Sequence, residues 1–289
     1  MKNRLIPRIK KKGRKFKENI SLYALTFDSN PQVRKLAKAL IFIKNKKNWE
    51  KEEKSCFNVI NELREQYSSS KRALKIRDYG AGNPNSQRTL SEMEIGVEFE
   101  KQISEIYKVA ASPKKWGELI FKIIREVKPQ KILELGTSLG ISAAYQITAL
   151  KLNRQGEFIS IEGSNEVAKI AAQNLVKVGY KNFTVKTGKF KDVLPEILVR
   201  DANIDMVFID GHHDKVATKE YFEMLYPHLA ENSILIFDDI NWSPGMQQVW
   251  KEIYSDERIN VSFDLHKWGI CHIDKKKKGG KRKYFKLSP

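Results

Sequence analysis

Acidic residues end two apolar segments in the second half of the chain. Asp210 directly follows the run MVFI, and Asp238 and Asp239 directly follow the run ILIF. Runs that are apolar at every position are typical of strands covered by helices on both faces. If the two strands are neighbours, their spacing of ~4.8 Å places the acids side by side at the carboxyl edge, where open α/β sheets bind ligands.

Carboxylates at such an edge have two interpretations. Two or three of them, together with an amide oxygen, can hold Mg²⁺ or a similar divalent ion, which would bind a substrate hydroxyl and lower its pKa. In the alternative, Asp210 contacts a cofactor and Asp238 caps the segment that follows.

Two histidines, His212 and His213, follow the first of these acids. A histidine beside a bound hydroxyl can take its proton. We expect His213 to be this base, with His212 as the second candidate and Asp210 as a third catalytic residue. A structural or solvent-facing role for either histidine is the alternative.

A glycine-containing turn follows an earlier strand, which ends at Glu134. The turn GTSLG contains Gly136, Thr137, Ser138 and Gly140, and a helix is predicted to begin near Ile141. Glycine lets the backbone approach a ligand closely, and the N-terminus of the helix attracts an anion. Ser142 would add a hydroxyl group there.

Glu162 ends the next predicted strand, about 26 residues beyond Gly136. An acid at this strand end accepts hydrogen bonds from both hydroxyls of a ribose. The spacing of the turn, G-x-x-x-G, differs from the G-x-G-x-x-G that seats a pyrophosphate. It therefore favours S-adenosylmethionine (SAM) over NAD, the competing ligand. An ordinary turn with a capping acid is the structural alternative.

The elements that position these residues alternate along the chain. The close-spaced segments 261–266 and 269–274 predict an antiparallel hairpin at the end of the sheet. The fold class is therefore α/β, with a Rossmann-like, doubly wound, mostly parallel sheet of seven strands. The other strands are predicted at 132–135, 157–161, 183–186, 204–209 and 233–237, and the helices between them at 141–152, 165–178, 192–199 and 217–229.

The N-terminal part has a helical pattern. Apolar spacing predicts helices at 33–43 and 52–67, another at 91–109, and one from Ser112-Pro113 to near Val127. Segment 75–82 contains glycines, but its charges and Pro84 predict a turn near the site entrance. We divide the chain into a basic tail with a helical extension (1–90), a SAM-binding domain (91–274) and a basic tail (275–289) with room for a short last strand.

Positive charge is concentrated at the two ends. Of the 53 Lys and Arg residues, 17 lie in residues 1–17 and 275–289, where no acid occurs. Such ends can bind nucleic acid or an anionic membrane surface, or they remain solvated. With no apolar stretch of the ~20 residues that a membrane span needs and no secretory signal, we expect a cytoplasmic protein. A homodimer is compatible with the sequence.

From about residue 112 to residue 274 the chain resembles the class I SAM-dependent O-methyltransferases, in particular the catechol O-methyltransferase-like group and its bacterial relatives. The motifs that carry the resemblance are SPKKWGELI, ILELGTSLGISA, the acid in SIEGS, TGKFKDVLPEI, VFIDGHH and IFDDIN. The resemblance implies methyl transfer to oxygen on a small hydroxylated or carbohydrate-like acceptor. The alternatives are an RNA methyltransferase that uses the basic ends, and a non-catalytic protein that binds SAM.

The resemblance also implies roles for individual residues. The chain departs from catechol-type enzymes at Asp239, where they have an Asn as third metal ligand, and at His213, where they have a catalytic Lys. The implied roles are contact with the methionine part for Glu134, Gly136 and Ser142, ribose binding for Glu162, a position beside the adenine for Gly188, Lys189 and Phe190, and metal binding for Asp210, Asp238 and Asp239.

Overall fold

The structure, a computed structural model, describes residues 18–45, 48–83, 86–200, 203–277 and 282–287. Its helices are α1 (18–25), α2 (Pro31–Lys44), α3 (Lys51–Ser68), α4 (Leu90–Ile95), α5 (Ile103–Ala110), α6 (Lys114–Val127), α7 (Ile141–Asn153), α8 (Asn165–Val178), α9 (Phe190–Arg200), α10 (Lys215–Leu225) and α11 (Pro244–Tyr254). Its strands are β1 (Ala73–Asp78), β2 (Gly82–Asn83), β3 (Ser86–Gln87), β4 (Val97–Gln102), β5 (Lys131–Leu135), β6 (Glu157–Glu162), β7 (Phe183–Thr187), β8 (Ile204–Ile209), β9 (Leu229–Phe237), β10 (Val261–Asp264), β11 (Gly269–Asp274) and β12 (Lys283–Lys286).

The central sheet has the strand order β12-β10-β11-β9-β8-β5-β6-β7. The strands β5 to β9 are parallel, and β11 runs antiparallel to both β9 and β10. The predicted mostly parallel, doubly wound sheet with a C-terminal hairpin is thus confirmed, with β12 as an additional strand. The strand order reverses beside β5, which is the point where such sheets bind ligands.

Both faces of this sheet are covered, and the covering explains its apolar strands. Along β5, Ile132 belongs to the core under α2, α3, α6 and α7, whereas Leu133 and Leu135 belong to the core under α9, α10 and α11. Successive side chains of a strand point to opposite faces, so most positions of a doubly covered strand are apolar, and the buried Glu134 on β5 is an exception.

The helical N-terminal extension packs against the sheet-covering helices. The predicted helices α2 and α3 are confirmed, and they contact α6 and α7. A buried chain of hydrogen bonds also links α3 to the glycine turn. Tyr67 Oη donates to Asn174 Oδ1 at 2.6 Å, and Asn174 Nδ2 donates to the carbonyl of Leu139 at 2.8 Å.

The helix predicted at 91–109 is wrong. The segment forms α4, β4 and α5 instead, because Gly96 with φ +80° ends α4 and the following VEFEKQ alternates in exposure. β4 pairs antiparallel with β1, where a turn was predicted. The charges of Lys75 and Arg77 do not disfavour this strand, because they point to the exposed face while Leu74 and Ile76 are buried.

Part of the basic C-terminal segment lies in the sheet. β12 pairs parallel with β10, and Lys283 Nζ lies 2.6 Å from Asp28 Oδ2, so residues 283–286 belong to the sheet, although most of their side chains are exposed. Residues 1–17 and 278–281 lie outside the described residues, and binding of nucleic acid or membranes there stays a prediction. No helix in the described ranges is long and apolar enough to cross a membrane.

Candidate active site

A cavity of about 370 Å³ lies at the carboxyl edge of the sheet, above β5, β6, β8 and β9. The apolar side chains of Ile76 on β1, Phe99 on β4 and Ile106 on α5 form its opposite wall. Thr137 and Ser142 line a smaller cavity beside it, while Glu134 and Gly140 line neither. The predicted site residues that line the main cavity are Gly136, Ser138, Glu162, Gly188, Lys189, Phe190, Asp210, His212, His213, Asp238 and Asp239.

The glycine turn is held tightly against the end of β8. Gly136 has φ +103°, and a Cβ atom placed on it would lie 1.9 Å from the carbonyl oxygen of Asp210. Gly140, with φ +78°, precedes α7, and a Cβ there would lie 3.3 Å from Ala171. Close packing of the chain on itself therefore already requires glycine at 136, before any ligand is considered.

Glu162 joins this turn to the end of β6. Its carboxylate accepts hydrogen bonds from the backbone N–H groups of Ser138 at 2.8 Å and Ser164 at 2.9 Å. Burial nevertheless raises the pKa of Glu162 above its ordinary value. A carboxylate has about four lone-pair positions, so acceptor capacity remains for a ligand in the cavity.

Glu134 is fully buried and fixes the first turns of α7 to the sheet. Its carboxylate accepts hydrogen bonds from Ser142 Oγ at 2.7 Å, Gln146 Nε2 at 2.6 Å and Ser160 Oγ at 2.7 Å. Burial raises the pKa of Glu134 to about 7. The structure thus brings Ser142 to Glu134 and places both away from the main cavity; their contact with the methionine part stays a prediction.

The predicted acids do come together at the edge, and a lysine lies among them. Lys267 Nζ lies 2.8 Å from Asp238 Oδ1, 2.9 Å from Asp238 Oδ2 and 2.6 Å from Asp239 Oδ1. Burial and the neighbouring carboxylate of Asp238 raise the pKa of Asp210 well above its ordinary value. Lys267 could not be predicted from local sequence, because its position depends on the pairing of β11 with β9.

These acids do not fit a divalent ion as they are arranged. Within the part of the chain that the structure describes, no group of three His, Cys, Asp or Glu side chains is placed to hold a metal ion. The ammonium group of Lys267 already contacts both oxygens of Asp238 and one of Asp239. The amide nitrogen of the nearby Asn241 donates to the carbonyl of His266.

The two histidines have different surroundings. His213 Nε2 lies 3.6 Å from Asp210 Oδ1, and its ring centroid lies 5.9 Å from that of Trp242, which also lines the cavity. The His212 ring stacks on Tyr221 and its Nδ1 is hydrogen-bonded to the Tyr221 hydroxyl. Burial lowers the pKa of His212. His213 is therefore better placed for proton transfer within the cavity.

A loop from the N-terminal extension closes the cavity over Glu162. A Cβ on Gly163 would lie 2.7 Å from the ring of Tyr79, so this ring packs directly on the backbone after β6. Lys189 Nζ lies 5.7 Å from the centroid of the same ring, and the N–H of Ala81 donates to the carbonyl of His212 at 2.9 Å. The turn was predicted near the entrance of the site, but Tyr79 and Ala81 were not among the predicted site residues.

The segment from β5 to the end of β9, which forms the carboxyl edge of the sheet, matches a known protein family. Residues 133–240 match the family model described as a methyltransferase domain. Catechol O-methyltransferase from Bos taurus is 26% identical over 151 residues, which are 51% of this chain and 54% of the bovine enzyme. This chain thus spans about half the length of that relative.

Solved structures with the same arrangement include two O-methyltransferases. The enzyme TomG of Streptomyces achromogenes, solved with SAM, has a TM-score of 0.50 and 20% identity over 59% of this chain and 86% of its own. The enzyme from Bacillus cereus, solved with S-adenosylhomocysteine (SAH), has a TM-score of 0.50 and 20% identity over 59% of this chain and 89% of its own. At these identities the likeness concerns the fold.

Proposed function

We propose that this chain, which is similar to the class I SAM-dependent O-methyltransferases, transfers the methyl group of SAM to a hydroxyl oxygen of a small acceptor. The observation that carries the proposal is the position of Glu162. Its carboxylate lies at the end of β6, in one cavity with the glycine turn and at the switch point of the sheet.

In this proposal SAM lies along the edge from β6 to β5. The ribose hydroxyls donate to Glu162, which has acceptor capacity left beside its two backbone hydrogen bonds. The methionine carboxylate faces the N-terminus of α7, where unpaired N–H groups and the helix dipole favour an anion. The adenine lies near Gly188 to Phe190, under the ring of Tyr79.

The acceptor lies on the other side of the sulfonium, beside the histidines. The S–CH₃ bond breaks as the new C–O bond forms, and SAH is left. His213 takes the proton of the acceptor hydroxyl, and Asp210 at 3.6 Å orients its ring. Positioning of the two reactants supplies much of the acceleration.

The walls around this position favour a small acceptor with an apolar body. Trp242 stands beside His213, and Ile76 of the N-terminal extension closes the cavity together with Phe99 and Ile106 of the segment that follows it. Apolar and aromatic walls with a few polar groups are typical of small-molecule sites. The N-terminal extension therefore contributes directly to the choice of acceptor.

Calorimetric titration of the full chain with SAM and with SAH tests the cofactor part. Glu162→Ala should lower the affinity by about tenfold or more, because each hydrogen bond to a charged group contributes about 1.5–3 kcal/mol. Glu166→Ala is the matched control, since Glu166 lies on the exposed side of α8 and pairs with Lys169. Equal affinity of Glu162→Ala and the wild type would contradict the proposal.

Turnover with labelled SAM tests the reaction. Methyl transfer to a hydroxylated small molecule in an acceptor panel that also contains RNA is the expected result. Methylation of RNA alone would favour an RNA methyltransferase, and SAM binding without turnover across the panel would favour a non-catalytic SAM-binding protein.

A further inference from the structure

The acidic edge of the site contains a positive charge supplied by the chain itself. The ammonium group of Lys267 contacts Asp238 through both carboxylate oxygens, at 2.8 and 2.9 Å, and Asp239 at 2.6 Å. Asp238 is buried, and the Lys267 side chain keeps 26% of its exposure. The lysine thus lies between the acids and also lines the cavity.

The tertiary structure holds this lysine in place through the turn between β10 and β11. The carbonyl of Lys267 accepts a hydrogen bond from Ile240 N at 3.1 Å, and its N–H donates to Leu265 O at 2.9 Å. The neighbouring Trp268 is buried, with its ring centroid 4.8 Å from Trp116. Since β11 pairs with β9, this turn is fixed beside Asp238 and Asp239.

A divalent ion and this ammonium group compete for the same oxygens. An ion ligated by Asp238 and Asp239 would have to displace Lys267 Nζ or lie beside its positive charge, which is unfavourable at such short range. The ammonium already balances part of the negative charge of Asp238 and Asp239. An ammonium has three N–H donors, so one N–H shared between the two oxygens of Asp238 and one directed to Asp239 leave the third for a further oxygen in the cavity.

We propose that Lys267 replaces the divalent ion at this edge: the reaction needs no metal, and the ammonium group donates a hydrogen bond to the acceptor oxygen. This inference rests on the proposed methyl transfer. Lys267 stabilises the negative charge that develops on the oxygen as His213 takes its proton. The acceptors are therefore molecules whose hydroxyl reaches Lys267 and His213 together.

Binding of Mn²⁺ to the full chain, measured by electron paramagnetic resonance without SAM, tests the first half. We expect the wild type not to bind Mn²⁺ when protein and ion are mixed 1:1. We expect Lys267→Met to bind Mn²⁺, because Asp238 and Asp239 no longer contact the ammonium group. Lys219→Met is the matched control, because Lys219 also lies between two carboxylates, Glu223 and Asp256, away from the cavity. Mn²⁺ binding by the wild type, or none by a folded Lys267→Met, overturns the inference.

Turnover tests the second half. Wild-type turnover should be unchanged by a chelator and by added Mg²⁺, whereas Lys267→Met should lower kcat by about 10²–10³-fold and leave SAM affinity within about threefold. Lys267→Arg keeps the positive charge and serves as the second variant if Lys267→Met does not fold. We expect Lys267→Arg to retain part of the wild-type kcat, and binding of Mn²⁺ by Lys267→Arg would overturn the inference. Turnover that a chelator abolishes and Mg²⁺ restores also overturns it. Failure of the wild type to bind SAM would instead contradict the proposed function, since the Mn²⁺ comparison needs no SAM.

Discussion

Gly136→Ala should disturb the glycine turn more than Gly140→Ala does, although neither change removes a polar side chain. The backbone of Gly136 has φ +103°, and an added Cβ would lie 1.9 Å from the carbonyl oxygen of Asp210 and 2.8 Å from its carbonyl carbon. These are backbone atoms at the end of β8, so no side chain can rotate away. Either the turn or the strand end must move.

The free energy of this change can be worked out from the two parts of the contact. A residue with a Cβ in a left-handed backbone conformation destabilises the fold by about 1–2 kcal/mol. Forcing an extra methyl group into a tightly packed site destabilises it by about 1–3 kcal/mol. We therefore expect Gly136→Ala to lower the free energy of unfolding by about 3 kcal/mol, and the melting temperature by about 6–12 °C. Gly140→Ala meets Ala171 at 3.3 Å and should lose only about 1 kcal/mol.

Urea unfolding and calorimetric titration with SAM measure the two consequences. Gly136→Ala should lose SAM affinity in its folded form, because the turn lies between Asp210 and Glu162, whereas Gly140→Ala should lose less. The reasoning is refuted if Gly136→Ala is within about 1 kcal/mol of the wild type and binds SAM equally well, since the turn would then not be packed on β8.

Two further predictions concern buried and catalytic groups. Burial raises the pKa of Glu134 from 4.5 to about 7, so between these pH values the folded state binds a proton that the unfolded state does not. As the pH rises from about 4.5 to 8, the wild type should therefore lose about 3 kcal/mol of stability relative to Glu134→Gln. Urea unfolding at several pH values measures this difference in stability, and a difference that stays constant with pH would contradict the prediction. His213→Gln should lower kcat by about 10²–10⁴-fold and leave the SAM affinity unchanged. The control is His228→Gln, in the turn after α10, which should leave kcat unchanged. If the kcat of His213→Gln stays within twofold of the wild type, His213 is not the base.

Features that depend on neighbours in the chain could be predicted. The runs MVFI in β8 and ILIF in β9, which are apolar at every position, predict covered parallel strands, because each position of such a strand faces a helix layer. The acids at the ends of β6, β8 and β9 then share one edge, so the cavity between Glu162 and Asp210 follows from local patterns. The helix α11, which begins at Pro244 with Ser243 as its N-cap, carries the same kind of local signal but was not selected.

Segment 91–109 shows where local patterns mislead. Its apolar residues fit a helix, but Gly96 ends α4, and pairing with β1 stabilises β4 as a strand. Strand formation depends on a partner some 25 residues away in sequence, and β-propensity varies strongly with that context. The wall of the cavity that this ribbon provides was therefore not predictable from the segment itself.

The sequence by itself determined the α/β class, the glycine turn and the line of acids along the carboxyl edge. The spacing of apolar residues and the residues that end a strand can both be read from a short stretch of sequence. Only the tertiary structure decided what those acids contact. Pairing of β11 with β9 places the ammonium of Lys267 between Asp238 and Asp239, and the His212 ring stacks on Tyr221, whereas His213 lies beside Asp210. Both depend on contacts between segments that are distant in the chain, which no local spacing encodes.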